Sequence, residues 1–106
     1  MIVQYSEAAQ QQLTEIWQFS RRQWGEARAD TYIGALYEAV RLAAEGGRPI
    51  QPRPEVRSDL SIIRSGSHHV YVTLDGARDV LHVVAILHQR MAPRRHIPRS
   101  LKGVES

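Results

Sequence analysis

A single glycine limits this chain more than any other residue. Gly25 separates two helical patterns, with nothing else between them. Before it, Ala9, Leu13, Ile16, Trp17 and Ser20 recur at helical spacing, and Gln10, Gln11 and Gln18 fill the opposite side. Ser6 followed by Glu7 supplies an N-cap and an acid in the first turn, so this helix starts there and ends near Trp24-Gly25. After the glycine, Ala29, Tyr32, Ile33, Leu36, Val40 and Ala43 form a second apolar stripe. Gly46-Gly47 stops it, with Gly46 suited to the left-handed position after a helix end. A connection this short forces an antiparallel helical hairpin. Neither stripe can be buried by the other alone, so both require a sheet beneath them.

The remaining sequence supplies that sheet. IVQY at 2–5 is rich in β-formers and reads as a short first strand. Residues 48–58 hold three prolines and read as an irregular loop. LSIIR (60–64) and HHVYVTL (68–74) come next as strands, with His68 and His69 turned to opposite faces. Asp75-Gly76 then signals a hairpin. DVLHVVAILH (79–88) is apolar on both faces, which marks a central strand covered on both sides or shielded by a partner on one. Pro93 and Pro98 forbid regular pairing beyond it, and Met91 is expected to close over the sheet. The expected fold is α+β in the order β-α-α-β-β-β: an N-terminal strand and an antiparallel helical hairpin packed on a mainly antiparallel sheet. A chain of 106 residues, 42% hydrophobic, suits one domain over 1–98 with a tail at 99–106. No apolar run approaches the roughly 20 residues that span a bilayer. MIVQYSEAAQ has no signal-peptide pattern, so the expected location is cytoplasmic.

The net charge of +3 says less than its distribution. From His88 to Lys102 there are five Lys or Arg and no acid, while the first 45 residues mix signs. Such a patch attracts nucleic acid or an acidic protein surface.

Several chemistries fall away. There is no cysteine, so disulfides and thiolates are excluded. The five histidines at 68, 69, 82, 88 and 96 lack metal-ligand spacing. His82 and His88 are expected on one face of a strand, but about 20 Å apart by strand rise. No metal or cofactor is expected. No serine sits in a nucleophile elbow, and no glycine-rich phosphate loop precedes a helix. A metal-free ribonuclease has the residue types it needs in Arg64, His68, Arg90, Arg94, Arg95 and His96. No carboxylate base accompanies them, so His or Tyr would carry both proton transfers.

Three stretches resemble a known family: YSEAAQQQLTEIWQFSRRQWGEARADTYIGALYEAV, SIIRSGSHHVYV and VVAILHQRMAPRRHI. The chain is similar to the ParE branch of the RelE/ParE toxin superfamily of type II toxin–antitoxin systems, over roughly residues 2–98. The last stretch is the most specific. The family commonly ends on His-x-Arg-Met-Asp-Pro-x-Arg-His, matched here at His88, Arg90, Met91, Pro93, Arg95 and His96. Ala92 stands where the family usually has Asp. The resemblance implies inhibition of DNA gyrase through its DNA-cleavage cycle. It also implies a ParD-like antitoxin whose flexible C-terminal segment wraps the toxin. Under it, Arg64, His68, Arg90, Arg94, Arg95 and His96 become candidates for binding the target. Nucleic acid would be met only through the gyrase–DNA complex. Trp17, Trp24, Tyr32 and Leu36 read as core or hairpin packing, and any of the aromatics left exposed becomes an antitoxin contact; Trp17, Trp24, Tyr32 and Tyr37 are the candidates. The alternatives are a ribosome-dependent mRNA interferase of the RelE branch, or a toxin fold without activity.

Overall fold

The computed structural model describes residues 1–97. The expected 99–106 tail and Pro98 lie outside the described residues. The element order is β1 (Ile2–Tyr5), α1 (Glu7–Trp24), α2 (Glu26–Ala44), β2 (Gln51–Pro52), β3 (Ser61–Ser65), β4 (His68–Asp75), β5 (Val80–His88) and α3 (Pro93–His96). Among the described residues five strands form one sheet in the order β1-β5-β4-β3-β2. β1 runs parallel to β5, and every other pair is antiparallel. The fold is α+β, as the patterns imply. Among the described residues no helix is long and apolar enough to cross a membrane.

The hairpin forms where the glycine requires it. Gly25 has φ 92°, in the left-handed region that favours glycine, and its N–H bonds to the Arg21 carbonyl at 2.9 Å. It ends α1 and caps α2 in one residue. Both helices then lay their stripes on one face of the sheet. Ala9 and Leu13 from α1 join Leu36, Ala39, Val40 and Ala43 from α2, against Ile63, Val70, Val72, Leu81, Val83 and Ile86.

The opposite face has its own smaller core. Ile62, Tyr71, Val84, Ala85 and Leu87 are covered by Leu60 and Val56 from the loop before β3 and by Ile97 at the end of α3. β5 is therefore buried on both sides by this chain itself. The proline-rich loop is not wholly irregular, because Gln51 and Pro52 pair with Ile62 and Ser61 as β2. Pro52 is tolerated because β2 is the outermost strand, where a missing N–H leaves no ladder bond broken.

A bulge in β5 decides which side chains reach each face of the sheet. Tyr71 pairs with Ala85 and Val72 with Val83, so Val84 is an extra residue. Leu81, Val83 and Ile86 face the helices, while Val84, Ala85 and Leu87 face the other side. The alternation changes phase at Val84. α1 satisfies the backbone there, past the end of short β1. The Ser6 hydroxyl accepts from the Ala9 N–H and donates to the Val84 carbonyl, both at 3.0 Å. The Gln12 side-chain oxygen accepts from the Ile86 N–H at 2.7 Å. One serine thus caps the helix and ties it to the bulge.

Candidate functional site

The site begins at the turn between β3 and β4. Gly66 has φ 56°, and a Cβ there would lie 2.7 Å from atoms of the Tyr32 ring. Only glycine lets α2 lay Tyr32 across this turn. The Tyr32 hydroxyl then accepts the Ser67 N–H at 3.0 Å and lies 3.2 Å from the Ser67 hydroxyl. It is also 2.6 Å from His68 Nδ1.

His68 is the cross-strand partner of His88, and their rings meet edge to face at 5.5 Å. Burial, with the neighbouring His88 and His69 adding to it, pushes the His68 pKa down to about 4. The ring is neutral at physiological pH. His88 Nδ1 in turn accepts the Arg90 N–H at 3.1 Å. A chain of ring and hydrogen-bond contacts thus runs from α2, through both histidines, to the turn after β5.

These residues floor a cleft of about 350 Å³. Ile16, Phe19 and Trp24 form its apolar wall, and Glu15 stands at its edge. Phe19 and Trp24 are half exposed and pack edge to face with ring centres 6.2 Å apart. A second, more open groove of about 510 Å³ is lined by Tyr5, Leu13, Trp17, Ile33 and Tyr37. Trp17 is held there by a 2.8 Å bond from its indole N–H to Asp30. Tyr37 packs edge to face on Tyr5 at 5.4 Å. Burial, with Tyr37 beside it, pushes the Tyr5 hydroxyl up to about 12.

The expected antitoxin contacts therefore divide in pairs, Trp24 and Tyr32 in the cleft, Trp17 and Tyr37 in the groove. Leu36 is core. Trp24 packs on the hairpin tip and remains half exposed.

The basic segment is pinned at both ends. His88 holds Arg90 at one end, and buried Ile97 closes over the outer face at the other. Between them Pro93 opens the single turn of α3, so the proline that stops the strand starts a helical turn. Arg90, Arg94, Arg95 and His96 are all exposed. Arg94 reaches the Glu55 carbonyl with its guanidinium.

The six target candidates do not share one face. Arg64 lies opposite His69, whose ring packs near Tyr71 of the outer core. Its Nε bonds Gln51 at 3.0 Å. His68 lies on the helix side. Burial is the main cause that lowers the His69 pKa, with Arg64, Arg53 and His88 adding to it.

Two expectations need correction. His82 and His88 do not share a face, because the bulge at Val84 inverts the alternation between them. His88 meets Tyr32's cluster, and His82 lies opposite, beside Thr73 and Gln4. Met91 does not close over the sheet; it is 38% exposed, and Ile97 performs that role. The site also contains Ser67 and His88, which sequence reasoning does not single out for binding. The sequence marks His88 as the last strand residue and the first of the matched motif, but its partner across the sheet depends on the bulge.

Residues 3–93 match the family described as ParE toxin of type II toxin-antitoxin system, parDE. The chain is 34% identical over 92 residues to the protein named Toxin ParE1 of Mycobacterium tuberculosis, covering 87% of this chain and 93% of that one. It is also 34% identical over 95 residues to Toxin ParE of Escherichia coli, covering 90% of this chain and 91% of that one. Its fold is similar to a chain in a solved structure titled "Chromosomal ParDE TA system from P. aeruginosa". That likeness has a TM-score of 0.68 at 15% identity and covers 83% of this chain and 95% of the other.

Proposed function

The chain belongs to the ParE toxin family of type II toxin–antitoxin systems, and on that premise we propose that it arrests growth by inhibiting DNA gyrase until a ParD-like antitoxin covers it. The observation that carries this reading is the exposed basic segment, Arg90 to His96, anchored at both ends on the packed domain. A presented cationic turn suits contact with an anionic surface such as a DNA-bound enzyme. Arg64 and His68 are further candidates for the target.

The antitoxin partner would use the other constellation. The cleft at Trp24 and Tyr32 and the groove at Trp17 and Tyr37 suit apolar anchors of an amphipathic segment. Acidic residues in that segment would complement the basic turn.

The separation of Arg64 from His68 supports binding over nuclease chemistry. A metal-free ribonuclease needs its cations and its acid–base pair around one phosphate, and these two residues stand on opposite faces of the sheet.

The test is the variant with Arg94, Arg95 and His96 all changed to Ala. It should remain folded and antitoxin-binding, and its expression without antitoxin should no longer arrest growth. Full growth arrest by the folded triple variant would discard the basic segment as the target contact.

A further inference from the structure

His88 stands between the cleft and the basic segment. Its Nδ1 accepts the Arg90 N–H at 3.1 Å, and the ring lines the cleft against His68. The bond to Arg90 spans two residues. It is the contact that an Asn or Asp side chain makes in an Asx turn, here made by an imidazole. It reverses the chain as it leaves β5, with the Met91 N–H bonded to the His88 carbonyl at 2.9 Å. Among the described residues the Arg90 N–H has no other acceptor, and the helical turn bearing Arg94, Arg95 and His96 starts three residues later.

We propose that His88 is the positioning residue of the basic segment: its Nδ1, as acceptor of the Arg90 amide, sets the direction in which Arg90 to His96 are presented. The inference rests on the reading of that segment as the target contact. An acceptor Nδ1 carries no proton, so the neutral ring holds its proton on Nε2. His88 is not itself a contact with the target. It determines where the cations stand.

Two substitutions separate this role from simple packing. In His88→Asn the side-chain oxygen occupies the place of Nδ1 and rebuilds the turn. In His88→Gln the oxygen reaches the place of Nε2 and leaves the Arg90 amide unpaired. His88→Asn should keep growth arrest, and His88→Gln should lose it, with both proteins folded by circular dichroism. Equal activity of the two variants, whether both toxic or both inert, overturns the proposal. A measurement on the unsubstituted protein stands beside this in case a variant does not fold. At mildly alkaline pH, proton–nitrogen correlation spectra of the imidazoles should show His88 protonated on Nε2 alone, and a proton on Nδ1 overturns the proposal. The Arg94, Arg95 and His96 triple variant identifies which idea fails. If that variant still arrests growth, the target-contact reading is at fault. If it is inert while His88→Gln is fully toxic, only the positioning role is.

Discussion

Replacing Tyr32 with Phe removes one oxygen and keeps the ring that lies over Gly66 and against His68. The oxygen is the node of the cluster. It takes the Ser67 N–H at 3.0 Å, meets the Ser67 hydroxyl at 3.2 Å and meets His68 Nδ1 at 2.6 Å. All three contacts are partly buried, so water replaces them poorly. An amide left without its acceptor costs about 1–3 kcal/mol, and each further lost bond about 1 kcal/mol net. These terms overlap, and we expect a total of roughly 2–3 kcal/mol. Urea unfolding of the antitoxin-free protein should show the midpoint falling at an unchanged slope, because the surface exposed on unfolding is unchanged. The melting temperature should fall by about 4–8 °C for each kcal/mol. A loss under about 0.5 kcal/mol would mean the hydroxyl network carries no stability. The packing of Tyr32 over Gly66 and Ser67 would then owe nothing to its hydroxyl.

The same geometry sets three further outcomes. His68 has its pKa depressed from 6.5 to about 4, so the unfolded chain binds protons that the folded one refuses. The stabilisation is complete above pH 6.5 and is lost as pH falls toward 4; His68→Gln should flatten the stability curve across that window, and an unchanged slope would contradict the assignment. His69, lowered in the same direction, will leave a residual slope. Gly66→Ala should cost about 1–2 kcal/mol for the left-handed backbone alone. It should also speed hydrogen exchange at the Ser67 amide by displacing Tyr32, and retained protection there would refute the close contact. Ser6→Ala should cost about 1–2 kcal/mol by thermal melting, because the cap and the tie to Val84 are lost together.

Most of the fold is legible in the sequence because its determinants are local. Gly25 between two apolar stripes dictates the hairpin, Ser6 marks the first cap, and the two-faced apolar run at 80–88 declares a covered strand. The hidden features depend on contacts distant in sequence. The bulge at Val84 leaves no local mark, since it is stabilised by Ser6 and Gln12 from the other end of the chain. Without it, His82 and His88 fall on the same face, and the pairing of His88 with His68 and Tyr32 is lost. Met91 departs from expectation for a related reason. Pro93 starts a turn rather than merely ending a strand, and this hands the covering role to Ile97. The candidate aromatics are visible as a group in the sequence, but helical spacing alone does not divide them between the cleft and the groove.

Gyrase as the target is tested most directly by a supercoiling and cleavage-complex assay with purified, antitoxin-free protein, run beside a coupled translation assay. Supercoiling should be lost or cleaved DNA trapped, with translation intact, and added antitoxin should relieve the effect. Failed translation with gyrase untouched would contradict the proposal and would place the protein with the mRNA-cleaving branch instead.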